Sequence, residues 1–240
     1  MTIQEALFQR VSRRAYDGKP LNAEMVKVLE RRINFLNAQS GLYIQLAVGQ
    51  SEAFQSILKT YGLFRGVANY IGMVGKDKDP DLEEKVGYFG EMLVLEATAL
   101  GLDTCFVGGS YDKEKVALDL PDDTRLVLTI AIGHAPKDQS FREKIIRAAT
   151  HRRSLPLETL FTTSGDTPEW FMNGMRGIAS APSALHRQPV RFDYDHGKVT
   201  ANLVNQGALT FVDLGIAKAN FVIASGVGTW DFGDGGQLQY

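Results

Sequence analysis

Two clusters of side chains in this sequence could do chemistry. The first is Ala181-Pro182-Ser183-Ala184-Leu185-His186-Arg187-Gln188-Pro189, a Pro-bounded corner offering a hydroxyl, an imidazole, a guanidinium and a carboxamide. Donors packed that closely suit the edge of a flat, heteroatom-rich ring; the same residues also read as a helix stop before an edge strand. The second is Arg10-Val11-Ser12-Arg13-Arg14, with Arg10, Ser12 and Arg14 at alternate positions. On an extended segment these three share one face, and two guanidiniums beside a hydroxyl match the oxygens of a phosphate dianion. On a continuing helix Ser12 would point away, leaving a solvated basic patch at a helix end. A third stretch, Gly108-Gly109, offers bare backbone N–H groups to a planar ligand, or forms a plain turn. His151-Arg152-Arg153 could complete a phosphate site or solvate a loop.

Composition narrows the function classes. The 240 residues are 44% hydrophobic and 22% charged, as expected of a globular protein. A net charge of −2 gives no electrostatic footprint for nucleic acid or an anionic membrane. No apolar run approaches the ~20 residues that span a bilayer, and residues 1–15 lack a signal-peptide core, so a soluble cytoplasmic protein is expected. The single Cys105 excludes an internal disulfide and a cysteine zinc cluster, and the four histidines lack metal-ligand spacing. Ser183 has no carboxylate–histidine pair nearby in sequence, so no residue is named as a catalytic nucleophile or base.

The elements that must position these clusters follow from caps and periodicity. Thr2 with Glu5 forms a capping box that opens a first helix, which runs into the Arg10 segment before Gly18 and Pro20. Asn22 caps a second helix with Val26, Leu29, Ile33 and Leu36 on one side. Strands are expected over 42–48, 66–74 and 126–132, with a short helix from Asp112 to Leu118. The longest helix carries Val86, Phe89, Gly90, Leu93, Val94 and Ala97 at helical spacing and stops at Gly101. Its small residues predict close helix packing, and Glu91 and Glu96 flank the stripe in structural or solvated roles. Ser140 with Glu143 opens a basic helical segment to Ala149. The Thr/Ser/Gly/Asp-rich run 161–167 is the best linker candidate, dividing the chain into 1–160 and 161–240. Beyond it, a helix over 168–179 capped by Thr167, strands near 190–194 and 198–204, and a helix over 207–225 repeat the first half in abbreviated form. The Gly- and Asp-rich tail from 226 has Trp230 and Phe232 as anchors.

With these pieces in place the chain resembles the nitroreductase (FMN-dependent oxidoreductase) superfamily, most closely the branch whose single chain carries two halves of the fold. Arg10-Val11-Ser12-Arg13-Arg14-Ala15-Tyr16 is similar to the family's N-terminal Arg-x-Ser-x-Arg signature, which grips the FMN phosphate and ribityl chain. The corner at Ala181–Pro189 is similar to the Ala-Pro-Ser-Ala-x-Asn-x-Gln-Pro motif beside the isoalloxazine. Gly101-Leu102-Asp103-Thr104-Cys105-Phe106-Val107-Gly108-Gly109 is similar to the Gly-Leu-Gly-x-Cys-Trp-x-Gly segment near flavin N5 and O4. Arg153 resembles the family's late phosphate-binding arginine. Three positions depart from the pattern: His186 stands for asparagine, Val190 for tryptophan and Asp103 for glycine.

The resemblance implies an α+β, nitroreductase-like fold: a mixed, mostly antiparallel sheet flanked by helices, with an abbreviated internal repeat in which one chain imitates a dimer. It implies FMN as cofactor, NAD(P)H as co-substrate and a small electron-poor acceptor of nitro or quinone type. The implied cofactor-binding residues are Arg10, Ser12, Arg14, Val107, Gly108, Gly109, Arg153, Pro182, Ser183, Ala184, His186 and Gln188; the flavin carries the chemistry, and no metal is called for. A monomer with pseudo-dimeric halves is expected, or a homodimer formed through other surfaces. The alternatives are dehalogenation or dehydrogenation on the same fold, a flavin-binding protein without turnover that serves storage or sensing, and a scaffold that has lost its flavin.

Overall fold

A computed structural model describes residues 1–138, 143–145, 148 and 154–240. Thr2 and Glu5 do form a reciprocal capping box on α1 (Ile3–Gln9). That helix stops earlier than its sequence suggests: Arg10 is the C-cap in an extended conformation, so the arginine signature lies beyond the helix. Asn22 caps α2 (Ala23–Ser40), whose buried stripe is Leu29, Ile33 and Leu36, and Gly41 ends it in the left-handed conformation open to glycine.

The expected strand over 42–48 is only the three-residue β1 (Gln45–Ala47), because the Asn37 side chain takes both backbone groups of Ile44, accepting its N–H at 2.8 Å and donating to its carbonyl at 3.0 Å. β2 (Asn69–Lys76) is buried on both faces. α3 (Leu82–Ala99) is the central helix, followed by β3 (Asp103–Val107) and β4 (Thr124–Gly133). Asp112 caps as expected, but what it caps is one 3-10 turn, Lys113–Lys115, and not a helix to Leu118. Much of the 140–153 segment, with Ser140 and Arg153, lies outside the described residues.

The proposed linker contains a strand. β5 (Phe161–Ser164) pairs in parallel with β6 (Val190–Asp195), its threonines being good strand formers. Pro168 is the N-cap of α4 (Glu169–Ser180), one place earlier than its expected first helical position. β6 and β7 (Lys198–Leu203) form a hairpin whose turn holds His196 and Gly197 at positive φ. α5 begins at Thr210, not at 207, and runs to Ser225. The tail is structured as well: β8 (Thr229–Trp230) and β9 (Gly236–Gln239) complete the second sheet.

The strand orders are β1-β2-β4-β3 and β5-β6-β7-β9-β8. Leaving aside β5 and the 3-10 turns, α2-β1-β2-α3-β3-β4 and α4-β6-β7-α5-β8-β9 share one element order, with antiparallel pairing at every corresponding step. α3 and α5 pack along one another between the sheets, so one continuous core holds Leu29 and Val86 together with Phe171, Phe192 and Phe221. A smaller cluster around Phe54, Tyr70 and Tyr111 covers the other face of the first sheet. Among the described residues no helix is long and apolar enough to cross a membrane, and no group of His, Cys, Asp and Glu side chains could hold a metal ion.

Candidate functional site

Beyond α1 the chain runs extended, and the Arg13 N–H donates to the Thr104 carbonyl at 3.0 Å, tying this segment to β3. Extended backbone sends alternate side chains to opposite sides. Arg13 goes inward: its Nη2 donates to the Pro136 carbonyl at 2.7 Å, and Nε lies 3.4 Å from Glu143. The Glu143 carboxylate also accepts the backbone N–H groups of Arg14 and Ala15, each at 3.1 Å, fixing the segment's path. Arg10, Ser12 and Arg14 line a cavity of about 290 Å³ instead. There Arg10 Nη1 donates to Ser12 Oγ at 3.2 Å, while Arg10 Nε is buried without a hydrogen-bond partner.

The far wall of that cavity is the corner after α4: Pro182, Ser183, Leu185 and His186. Its backbone is forced. Leu185, His186 and Gln188 all hold φ near +50°, the left-handed region that residues with a Cβ seldom enter. Among the hydrogen bonds that hold it there are Ala184 N–H to Asp213 Oδ1 (2.9 Å), Gln188 N–H to Ser183 Oγ (3.0 Å), Leu155 N–H to Gln188 Oε1 (2.8 Å), and Ser154 Oγ with His186 Nε2 (2.9 Å). Gln188 Nε2 is buried with no partner.

A second cavity of about 300 Å³ continues from the first, sharing Ser12, Arg14, Pro182, Ser183 and Leu185 as walls. Its floor is Val107, Gly108 and Gly109 after β3, and its lid is the start of α5. The character changes along the groove. The first chamber is cationic, whereas Phe64, Phe106, Leu128, Leu209, Val212 and Ile216 make the second mainly apolar. Burial pushes the Cys105 thiol up, so it stands in this wall as a neutral, unreactive group.

The structure thus gathers Arg10, Ser12, Arg14, Val107, Gly108, Gly109, Pro182, Ser183, Ala184 and His186 around one two-chambered groove. Gln188 stands behind the corner beside a small void that Asp213 also lines. Arg153 lies outside the described residues. The Gly pair has unequal roles: a Cβ on Gly108 would overlap the Leu209 side chain, whereas one on Gly109 would meet nothing within 4 Å.

Of the departures from the family pattern, Asp103 accepts the Ala135 N–H at 2.9 Å and faces Arg13 at 3.9 Å, a supporting role. Val190 opens β6 in the core. Asp213, whose Oδ2 is buried without a partner, carries no local signal in the sequence, and Glu91 takes the structural of its two expected roles, fully buried and accepting from the Asn220 amide at 3.0 Å. Burial raises both carboxyls to about 7. For Glu91, Arg10 and the Asn220 amide oppose that rise. Glu96 is half-buried and paired with Arg32 at 3.8 Å, as a structural role requires.

Helices flanking mainly antiparallel sheets, with a groove lined from both halves of the chain, define a nitroreductase-type α+β fold. The chain belongs to the family described as Putative TM nitroreductase, which matches residues 2–225. Its structure is similar to that of a putative nitroreductase from Thermotoga maritima, at 21% identity and a TM-score of 0.65, over 99% of this chain and 93% of that one. A nitroreductase family protein from Clostridium difficile 630 aligns at 16% identity and a TM-score of 0.48, over 68% of this chain and 98% of its own. An FMN-dependent nitroreductase from Clostridium difficile R20291 aligns at 16% and 0.46, over 56% and 88%. No curated relative matches the chain.

Proposed function

We propose that this chain is an FMN-dependent NAD(P)H oxidoreductase of nitroreductase type that reduces an electron-poor acceptor, nitro- or quinone-like. The observation that carries the reading is the groove's polarity: two arginines and a serine at one end, an apolar slot walled by glycine backbone at the other. An FMN has that same division, a phosphate dianion joined to a flat ring. The partnerless buried donor Arg10 Nε, on a residue that lines the cationic chamber, fits a ligand rich in oxygen.

Bound FMN would supply reversible two-electron chemistry. The protein's own residues supply placement. Arg10 and Arg14, with Ser12 between them, hold the phosphate by charge-assisted hydrogen bonds, and Arg153 is proposed to join them. The corner at Pro182–His186 fixes one edge of the ring, its strained backbone keeping donors where a relaxed turn would not. Gly109 lets the ring approach the backbone, and the apolar walls keep water from the reacting edge. No side chain serves as nucleophile. Because Arg10–Arg14 and Gly108–Gly109 come from the first half and Pro182–His186 from the second, one chain is proposed to complete its site as a monomer. A dimer through other surfaces remains compatible with that.

The test is anaerobic. FMN-loaded protein mixed with NADH or NADPH loses its flavin absorbance, and an added nitroaromatic or quinone restores it. Flavin that stays oxidised with both nicotinamides removes the enzymatic reading and leaves a flavin-binding protein.

A further inference from the structure

Asp213 sits in the first turn of α5, 4% exposed, on the wall of the ring chamber. Its Oδ1 accepts the Ala184 N–H at 2.9 Å, and its Oδ2 is buried with no hydrogen-bond partner. A carboxyl held by one oxygen and bare at the other is costly as a structural device alone, since the bare oxygen is desolvated for nothing. Beside a slot for a planar heterocycle, it has a use.

We propose that Asp213 is a ligand-reading residue which enters the complex protonated and donates from Oδ2 to a carbonyl oxygen of the bound ring. The assignment rests on the FMN reading of the groove, the flavin ring being the planar group with carbonyl acceptors that this chamber would take. The alternative polarity, a carboxylate accepting a ring N–H, is disfavoured by burial. The Ala184 N–H, Arg187 and the N-terminus of α5 all favour the charged form, yet burial outweighs them and brings the group to about 7. The other charged or titratable groups lining this chamber are Arg14 and Cys105, and His186 lines the adjoining cationic chamber. The carboxyls that α3 turns toward α5 are engaged further along that helix, Glu84 with Lys218 and Glu91 with Asn220. A ring carbonyl that accepts the Oδ2 proton stabilises the protonated form and raises its proton affinity further. Above the free protein's value near 7 binding therefore takes up a proton, and affinity falls as pH rises through that range.

The experiment is FMN affinity, read by quenching of flavin fluorescence, for wild type, Asp213→Asn and Asp213→Ala between pH 6 and pH 9. Asn keeps an oxygen for Ala184 and offers a permanent N–H donor in place of the acid. The ratio of wild-type to Asp213→Asn affinity cancels the phosphate's own titration near pH 6. That ratio should fall with pH, approaching about tenfold per unit above the transition. Asp213→Ala should bind at least about tenfold more weakly than Asp213→Asn at every pH. A ratio independent of pH, or Ala binding as tightly as Asn, overturns the assignment. Wild type that fails to bind FMN at any pH overturns the flavin reading and this inference with it, a result distinct from a flat ratio.

Discussion

Gly87 of α3 and Gly215 of α5 make reciprocal contacts. A Cβ on Gly87 would overlap the Val212 carbonyl, and a Cβ on Gly215 would overlap the Glu84 carbonyl, in each case three residues before the other glycine. Setting Gly87 against Gly215 also sets Glu84 against Val212 and Gly90 against Lys218. Gly90 lies beside Phe106 as Lys218 lies beside Trp230, which sets Gly108 and Gly109 against Phe232 and Gly233. One of the two corresponding places is the apolar chamber, lined by Val212, Gly108 and Gly109. The other is filled. Glu84 accepts the Gly233 N–H, Lys218 donates to the Asp231 and Gly233 carbonyls (2.9 Å each), and Phe232 packs on Tyr88 and under Lys85. Of these two corresponding places among the described residues, one is open and the other closed.

The Glu84–Lys218 pair that closes the second place is almost wholly buried, at 1% and 0% side-chain exposure. Removing one partner strands the other charge in the core, so Lys218→Met should cost about 3–5 kcal/mol in urea unfolding. Removing both in Glu84→Leu/Lys218→Met should recover most of that loss. A Lys218→Met variant within about 1 kcal/mol of wild type would show that the pair does not hold the plug.

Much of the fold was legible in the sequence wherever local chemistry decides, as in the Thr2–Glu5 box and the Asn22 cap. Alternation alone could not say whether Arg10–Arg14 is helix or strand; the bond from Arg13 to Thr104 decides it. β5 was hidden because its residues also suit a linker, and only pairing with β6 distinguishes the two. Long-range polar partners leave no local trace. Lys218 with Glu84, Glu143 with Arg14 and Asp213 with the corner each join residues that nothing nearby in the chain connects.

Glu91 gives stability a specific pH dependence. Its folded-state value of about 7 lies above the ordinary 4.5, burial being the largest cause. The folded protein thus binds the proton more tightly than the unfolded chain, and this stabilising contribution is lost as pH rises from about 4.5 to about 7. Glu91→Gln should be no more stable than wild type at pH 4.5 and should gain on it steadily toward pH 7. Parallel urea midpoints for the two proteins across that window would contradict the burial argument.

At the cationic end, charge-assisted hydrogen bonds to a phosphate are worth about 1.5–3 kcal/mol each. Arg14→Ala should weaken FMN binding about tenfold or more, while riboflavin, which lacks the phosphate, should lose little. The Arg10→Ala, Arg14→Ala double variant should lose more again. Undiminished FMN affinity in the double variant would move the phosphate elsewhere.

Gly109 separates binding from folding. Its Cβ has open space and its φ is ordinary, so Gly109→Val should unfold within about 1 kcal/mol of wild type. The new side chain enters the chamber and should cut flavin content about tenfold or more. At Gly108 the Leu209 side chain must move first, so Gly108→Val should lose stability as well as flavin. Full flavin content in Gly109→Val would remove this backbone from the ring's surroundings.

One chain, using both halves, is proposed to build one flavin site. The direct measurement is FMN bound per chain, determined together with molar mass at high dilution. One FMN on each monomer is the expected result. Two per chain, none at saturating FMN, or flavin released as a dimer dissociates would contradict it.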